Sequence, residues 1–381
     1  MLLLSSISGF FLTGSYLLDN VVTRTITYFL NPDALLIGVM VMLVCIALIV
    51  SVIYLYLFYK KRNFFYKDRI RKHLETWITQ IIMEEAPESI VISNKFYKVL
   101  NNHVASQFAI DELIMCKKNF SGVVAENIIA LYIQLGLKKY SIKKLATKNK
   151  WHIRARGIQE LYLMNQSDVL TTIYKNTNSN NEFVRMEAQT GVIHLTGFPG
   201  LRFLDVISYP LTEWQQLKLL EQLRLFPKKE DLSEKIPGWL RSKNETVVIF
   251  ALKLADEYQQ FSVRKNVINC LVHPQRAVRS QAIKTLITLA DEKTPAILLG
   301  YFSKETQANQ ILILEALRTI ATEAESGFLL NLLDHENDTI KLKAAVVLAA
   351  VSENGLTLLE ARGITQPEPY QRIYRHVKTV K

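Results

Sequence analysis

Residues 35–58 form an apolar run that contains no charged side chain. A helix rises about 1.5 Å per residue, so this run is long enough to cross a hydrocarbon core about 30 Å thick. A basic cluster of Lys60, Lys61 and Arg62 follows almost directly. The pattern predicts a transmembrane helix over 34–59 and a membrane stop at the basic cluster.

The charges that flank this run predict its orientation. On the N-terminal side Arg24 stands against Asp19 and Asp33, whereas the C-terminal side begins with consecutive positive charges. Cytoplasmic loops carry the excess of Lys and Arg, so the residues after Lys60 are expected to be cytoplasmic. The chain is therefore predicted to be an integral protein of the inner or plasma membrane, with most of its 381 residues in the cytoplasm.

The N-terminal segment 1–33 leaves several alternatives open. Residues 1–18 are apolar, but no basic residue precedes the apolar part and no clear small-residue cleavage site follows it. Besides a cleaved signal peptide, the segment fits a helix in the outer interface or a short first span that forms a hairpin with 35–58. The last two leave the rest of the chain on the cytoplasmic side.

Residues 60–86 are basic and amphipathic. Their apolar side chains recur with a 3.6-residue period, which predicts that the transmembrane helix continues into the cytoplasm until Pro87. These side chains are Ile70, Leu74, Trp77, Ile78, Ile81 and Ile82. The stripe forms either a dimerising or surface-lying stalk, or a face that packs on the first helices of the body, and the second interpretation is favoured.

A repeated pattern begins after residue 120, with a period of about 31 residues that lies in the range of helical repeat proteins. In five units a β-branched residue is followed four positions later by a small one and then by a leucine-rich run, and the units near residues 214 and 309 lack this pair but contain helical segments of the same character. The pairs are Val184 with Ala188, Val247 with Ala251, Val278 with Ala282, Ile340 with Ala344 and, as a variant, Ile153 with Gly157. Polar turns lie between the helical stretches. Such a repeat is typical of an α-solenoid, in which helix pairs bury their apolar faces by stacking on their neighbours.

The second helical stretch of these units resembles HEAT repeats. The resemblance is carried by 181–188, 273–283 and 337–345, where a turn with Asn, Asp or Pro precedes a β-branched and a basic residue and then Ala and Leu positions. It covers about 120–355, and Trp214, Val248 and Ala308 depart from the family pattern. It implies an all-α fold, built as an α-solenoid of HEAT-like helix pairs, that binds protein along its concave face.

These patterns predict one transmembrane helix followed by a helical array. The predicted segments are an N-terminal apolar segment (1–33), the transmembrane helix (34–59), a juxtamembrane helix (60–86), a helical capping region (87–119), HEAT-like repeats (120–355) and a basic C-terminal tail (356–381).

Residues 138–156 contain eight positive charges and no Asp or Glu. A solvated face usually mixes both signs, so this basic stretch predicts a positively charged surface. Its charged members are Lys138, Lys139, Lys143, Lys144, Lys148, Lys150, Arg154 and Arg156. Anionic lipid headgroups are the simplest target. Acidic protein, a phosphate-bearing ligand and nucleic acid are alternatives, and nucleic acid is disfavoured because a membrane tether argues against scanning a genome.

Four basic residues occupy equivalent positions in four units and are expected to form a ladder along one face. They are Arg154, Arg185, Arg279 and Lys341. The ladder either binds acidic or phosphate groups of a partner through charge-assisted bonds, or bonds to the polar turns of neighbouring units. The second interpretation is favoured.

No catalytic or metal-binding pattern stands out. The sequence lacks the motifs GxxxxGK[ST], GxGxxG, GxSxG and HExxH, and its histidines and cysteines show no metal-ligand spacing. We therefore expect no metal, no cofactor and no enzymatic activity, although HEAT-like lyases and base-excision enzymes exist. The expected function is a membrane-anchored scaffold or adaptor for a protein partner. In a bacterium this partner class includes membrane enzyme complexes such as an envelope polysaccharide glycosyltransferase, although no residue specifies it.

Overall fold

The computed structural model describes residues 32–83, 90–226 and 230–380. Every regular element in these ranges is a helix, which confirms the predicted all-α class for the described part of the chain. The alternatives for residues 1–18 and the helix end predicted at Pro87 lie outside the described residues. The chain divides into two compact units, Met1–Leu131 (unit 1) and Tyr132–Lys381 (unit 2).

Unit 1 is built around one long helix. Its α-helices are α1 (Pro32–Met83), α2 (Asn94–Leu100), α3 (His103–Asn119) and most of α4 (Val123–Gln134). The large apolar side chains of α1 between residues 35 and 58 are exposed, from 47% at Ile46 to 70% at Tyr54. Within the described ranges, α1 is the one helix that is long and apolar enough to cross a membrane.

The C-terminal half of α1 packs against α3. Ile70, Leu74 and Ile81 are at most 1% exposed. An ion pair also joins Arg71 to Glu112, with 2.7 Å between Nη2 and Oε1. The amphipathic stripe therefore packs on the helices that follow it, in line with the favoured interpretation, and α1 continues without a break from its exposed half into this packed half.

Unit 2 consists of short and longer helices in alternation. They are α5 (Lys138–Leu145), α6 (Trp151–Leu163), α7 (Leu170–Tyr174), α8 (Glu182–Thr196), α9 (Glu213–Arg224), α10 (Ile236–Trp239), α11 (Glu245–Glu257), α12 (Arg264–Asn269), α13 (Arg276–Thr288), α14 (Thr294–Phe302), α15 (Gln307–Ile320), α16 (Ser326–Leu332), α17 (Asp338–Val351), α18 (Gly355–Thr365) and α19 (Pro367–Val380).

The longer helices pack on one another largely in chain order: α6 on α8, α8 on α9, α11 on α13, α13 on α15, and α15 on α17. We call α6, α8, α9, α11, α13, α15 and α17 the second helices. Shorter helices precede most of them, and α5, α7, α10, α12, α14 and α16 each pack on the second helix that follows. Helices α9 and α15 occupy the two places where the sequence pattern lacks its β-branched residue.

The small residue of the repeat lies where helices approach closely. Its members on α8, α11, α13 and α17 are Ala188, Ala251, Ala282 and Ala344, all 0% exposed. Its member on α6 is Gly157, where an added Cβ would lie 2.5 Å from the backbone nitrogen of Leu145. A larger side chain at this position would push neighbouring helices apart.

Asparagines in the predicted polar turns begin several second helices. The side chains of Asn181, Asn244 and Asn337 accept hydrogen bonds from backbone amides in the first turns of α8, α11 and α17. Asparagine is favoured there because its short side chain reaches an amide that has no partner within the helix. The turn residues thus mark where these helices start.

The C-terminal segment 356–381 differs from the predicted tail. Over its described residues it forms most of α18 and all of α19, which pack on each other and on α17. Tyr370, Ile373 and Val377 are 2–8% exposed and belong to the same core as the preceding helices. The predicted tail rested on the basic residues of this segment. Its apolar residues at helical spacing instead pack it on the preceding helices.

The close approach at Gly157 gives a prediction with a matched control. Gly157→Ala should lower the free energy of unfolding by about 1–2 kcal/mol, because the Cβ meets backbone that cannot move aside cheaply. Gly300→Ala, in α14 with no atom within 4 Å of the added Cβ, should raise it by about 0.5 kcal/mol through helix propensity. Urea unfolding of the full chain followed by circular dichroism measures both, and equal effects of the two substitutions would contradict the prediction.

Candidate functional site

The basic stretch contains fewer free charges than its sequence suggests. Both carboxylate oxygens of Glu160 lie 2.7 Å from the Lys144 Nζ. The same carboxylate lies 3.3 Å from Arg156 Nε, and Lys138 Nζ lies 2.7 Å from Asp168. The expectation of eight uncompensated charges therefore fails for these three residues. Their partners follow the acid-free window in sequence and reach them through helix packing.

Glu160 is the centre of a buried polar network. Its side chain is 2% exposed and that of Lys144 is 9% exposed. The Ser141 hydroxyl donates a hydrogen bond to Glu160 at 2.7 Å, and the Tyr132 hydroxyl donates to Ser141 at 2.9 Å. Burial raises the pKa of Tyr132 well above its usual range. This network joins Tyr132 to α5 and α6, and the Lys144 ammonium belongs to the network and not to the positive surface.

Four lysines of the basic stretch remain exposed, and we call them the exposed lysines. They are Lys139, Lys143, Lys148 and Lys150. None forms an ion pair with a described carboxylate, and Lys139 lies 5.0 Å from the ring centre of Tyr140. Lys139 and Lys143 lie four residues apart on α5, and Lys148 and Lys150 lie in the turn between α5 and α6, so the structure keeps a smaller positive surface than the sequence predicts.

The arginines of the ladder bind the carbonyl groups of the turn that precedes their own helix. Arg154 Nε donates to the Thr147 carbonyl at 2.7 Å. Arg185 Nη1 donates to the carbonyls of Ser179 and Asn180 at 2.8 and 3.2 Å. Because a guanidinium offers five donors in a fixed fork, it satisfies turn carbonyls that helix geometry leaves unpaired.

Arg279 repeats this contact and Lys341 does not. Arg279 Nη1 donates to the carbonyls of His273 and Pro274 at 2.9 and 3.0 Å. The Lys341 ammonium lies 2.9 Å from Asp338 Oδ1, one helical turn away. A lysine lacks the planar fork of an arginine, which explains this difference within the ladder.

Two ladder arginines also contact the turn before the second helix that follows their own. Arg279 forms a forked ion pair with Glu305, with Nε–Oε1 and Nη2–Oε2 distances of 2.6 and 3.2 Å. The Arg185 guanidinium lies over the ring of Tyr209, with 4.2 Å from its central carbon to the ring centre. Burial lowers the pKa of Arg185 and the neighbouring Tyr209 and Glu182 oppose this. The ladder therefore links successive turns.

A groove of about 280 Å³ lies between the turn before α6 and the turn before α8. We call it the turn groove. Its lining residues are Lys148, Asn149, Trp151, Arg154, Ser179, Asn180, Asn181 and Val184. Cationic and amide side chains dominate this lining, and no carboxylate belongs to it. The groove therefore suits a small anionic group.

Exposed aromatic side chains stand at the start of three second helices, a feature that the sequence analysis missed. Trp151, Phe183 and Trp214 are the first or second residues of α6, α8 and α9 and are 46%, 44% and 66% exposed. Trp151 stacks on Phe183 with 4.8 Å between ring centres and 20° between ring planes. We call these residues the aromatic row. Their shared position directly after a polar turn was the signal in the sequence.

A second polar cluster joins α6, α8 and α9. The Tyr162 hydroxyl donates to Glu187 at 2.9 Å, and Lys218 Nζ donates to the other oxygen of that carboxylate at 3.2 Å. His194 Nδ1 lies 3.1 Å from the Gln222 side-chain oxygen. Burial and the neighbouring Glu187 raise the pKa of Tyr162 well above its usual range. These groups satisfy one another, as buried polar groups must.

No group of three or more His, Cys, Asp or Glu side chains in the described ranges is arranged to bind a metal ion. Cys270 is buried, and burial raises the pKa of its thiol to about 11. Its thiolate is therefore scarce at neutral pH. The expected absence of metal and cofactor stays a prediction.

The Glu160 network gives a stability prediction. Glu160→Gln should lower the free energy of unfolding by about 3 kcal/mol, because it leaves the buried Lys144 ammonium without its counter-charge. The matched control is Asp168→Asn, which removes the partner of Lys138 at a site where the carboxylate is 61% exposed and should cost less than about 1 kcal/mol. Urea unfolding of the full chain compares them, and similar losses for both variants would contradict the assignment of a buried pair.

Comparisons with known proteins place the chain in no family. No protein-family model matches the sequence, and no curated protein matches it. Among solved structures, an engineered protein matches with a TM-score of 0.30 and 13% identity, over 75% of this chain and 97% of that one. The complex of CpcE and CpcF of phycocyanin lyase from Nostoc sp. PCC7120 matches with a TM-score of 0.24 and 11% identity, over 72% and 97%. Scores this low support no conclusion about the function of this chain.

The expectation of no enzymatic activity, which rested on the absence of four sequence motifs, is wrong as a general exclusion, because one of these structural neighbours is a lyase, which is an enzyme. A fold by itself does not exclude catalysis.

Proposed function

We propose that the chain is a membrane-anchored scaffold whose cytoplasmic unit 2 is a HEAT-like α-solenoid that binds a protein partner. The observation that carries the proposal is the division of α1. Its apolar half is exposed, whereas its C-terminal half packs into unit 1. An apolar helix half that no described residue covers is stabilised by lipid, and the basic cluster at Lys60, Lys61 and Arg62 favours a cytoplasmic position for the residues after it.

The packing order of unit 2 supports the solenoid part of the proposal. Second helices that pack mainly on the second helix before and after them bury their apolar faces by stacking, as repeat proteins do. A small residue at the same position of five second helices, α6, α8, α11, α13 and α17, lets neighbouring helices pack closely. Such arrays expose an extended surface made of equivalent positions, which is a surface suited to a protein partner.

The aromatic row supports a protein partner more than a small ligand. Aromatic side chains supply much of the binding energy at protein interfaces, because they bury a large area with few rotatable bonds. Trp214 is 66% exposed at the start of α9, and the stacked Trp151 and Phe183 occupy the same place on α6 and α8. A membrane enzyme complex remains the partner class that fits a scaffold held at the bilayer.

A second candidate function uses the exposed lysines. Each lysine close to an anionic bilayer contributes about 1 kcal/mol to binding, so the four together would hold the turn between α5 and α6 at a lipid surface. A free phosphate-bearing ligand or nucleic acid would meet the same charges. The observation that favours this candidate is the absence of an ion pair with any described carboxylate at Lys139, Lys143, Lys148 and Lys150.

The anchor is tested by placing charges in the exposed half of α1. Leu48→Arg together with Val52→Arg should release the protein from membranes at alkaline pH, because each arginine costs about 2.5–3.5 kcal/mol at the centre of a bilayer. The control is Ile82→Arg with Met83→Arg, at exposed positions of the packed half, and it should stay in the membrane. Carbonate extraction followed by immunoblotting measures both, and retention of the first variant would contradict the anchor.

The partner surface is tested by crosslinking in intact membranes of the source cell. A photoreactive benzoylphenylalanine at Trp214 should capture a defined protein, whereas the same residue at Phe261, which is 57% exposed outside the second helices, should not. Mass spectrometry identifies what is captured. Recovery of only lipid, or only nucleic acid, from Trp214 would contradict the scaffold and favour the second candidate. If changing the exposed lysines to glutamine then abolished these lipid or nucleic-acid crosslinks, the exposed lysines would be the residues that bind the lipid or nucleic acid.

A further inference from the structure

Three ladder arginines stand in equivalent slots, and the slots differ in what fills them. Each slot lies between the turn before the arginine's own helix and the turn before the second helix that follows it. In the slot of Arg279 the following turn supplies Glu305, whose side chain is 4% exposed. In the slot of Arg185 the following turn supplies the ring of Tyr209. The chain therefore fills two slots with its own side chains.

The slot of Arg154 is the turn groove, and nothing in the following turn fills it. That turn contributes Ser179, Asn180 and Asn181 to the lining, with neither a carboxylate nor an aromatic ring. The one side-chain hydrogen bond of Arg154 within the described residues runs from Nε to Thr147. The two terminal nitrogens of its guanidinium, with up to four N–H donors, remain available at the groove.

The sequence separation between each arginine and the following turn shows which residue of this chain is equivalent to Glu305 in the slot of Arg154. Glu305 follows Arg279 at a sequence separation of 26 and stands two positions before α15 begins at Gln307. Asn180 follows Arg154 at the same separation and stands two positions before α8 begins at Glu182. Asn180 thus occupies the position of Glu305 with an exposed, neutral side chain. The carboxylate that Arg279 receives from its own chain is missing for Arg154.

We propose that the turn groove is a docking site for an aspartate or glutamate side chain from an acidic segment of a partner protein, bound by Arg154 and Lys148. This inference rests on the proposed scaffold function and specifies the chemistry of its partner. A carboxylate is the occupant because the same chain places one in the equivalent slot of Arg279. The neighbouring Lys150 favours further acidic residues in the segment.

The rim of the groove suits a peptide more than a free ion. Trp151 lines the groove, is 46% exposed and stacks on Phe183. A carboxylate buries few atoms, and residues that flank it in a peptide can cover this aromatic pair. The site then combines a charge-assisted contact with apolar burial, as binding sites at protein interfaces do.

The test places a carboxylate of the chain itself in the slot of Arg154. Asn180→Glu provides the missing carboxylate, and Asn180→Gln is its neutral control of the same size. The full chain in detergent micelles is titrated, at low ionic strength, against a fluorescein-labelled peptide of alternating glycine and glutamate, with the glycine–glutamine peptide as reference. Fluorescence anisotropy should show that Asn180→Glu weakens binding of the glutamate peptide about tenfold relative to Asn180→Gln. The glutamine peptide should bind neither.

Two further measurements keep the result unambiguous. Asn180→Glu should also raise the melting temperature by about 2 °C over Asn180→Gln, because the internal ion pair forms, and this excludes misfolding as the cause of lost binding. Arg154→Gln should weaken peptide binding about tenfold, whereas Arg276→Gln, at an exposed arginine on α13 outside the ladder, should leave it unchanged.

Equal binding of the glutamate peptide by Asn180→Glu and Asn180→Gln overturns the inference, as does equal binding of the two peptides by the unmodified protein. The Trp214 crosslink tests the proposed scaffold function independently of the peptide titration. If that crosslink captures a protein while Asn180→Glu still binds the peptide, the carboxylate site is lost and the scaffold stands. If the peptide results hold while Trp214 captures no protein, the site stands and the scaffold is lost.

Discussion

Close packing between helices at a small residue that recurs on five second helices is the constraint on which the architecture of unit 2 depends. Where that residue is Gly157, the backbone of α5 lies so near α6 that even a methyl group would collide with it. Where it is alanine, as at Ala188 and Ala251, the side chain is fully buried. Helices that approach this closely bring their starts, and therefore their turns, into fixed register. The ladder contacts between successive turns follow from that spacing.

The turns before the second helices contain carbonyl groups that need hydrogen-bond donors, and the ladder arginines supply them. The carbonyl groups of a turn that precedes a helix lie outside the helical hydrogen-bond pattern, so they need another donor wherever water is excluded. Arg185 and Arg279 each donate to two such carbonyls from one nitrogen. Removing either side chain would leave these carbonyl oxygens without their donors. This loss costs more free energy of folding than the hydrogen bonds themselves contribute. Of the three ladder arginines, Arg154 is the one whose two terminal nitrogens both make no hydrogen bond to a described residue.

The sequence predicts those features that depend on neighbours along the chain. The apolar half of α1, the packed stripe with Ile70 and Leu74, and the asparagines that begin α8 and α11 all arise from local periodicity or capping. The pairs Lys144 with Glu160 and Arg279 with Glu305 could not be predicted in this way, since 16 and 26 residues separate their members. Packing between helices decides these pairs, and it reduced the basic stretch from eight exposed charges to a smaller surface.

The continuity of α1 constrains how unit 1 can move. A flexible linker between a span and a folded domain would let the domain turn freely. Here the helix that carries the exposed apolar half continues as the helix that packs on α3, with Leu74 buried and Arg71 paired to Glu112. Reorienting α3 against the apolar half of α1 requires breaking the helix or this packing. Because either change costs backbone hydrogen bonds or exposes Ile70 and Leu74, α3 keeps a fixed orientation relative to the apolar half of α1.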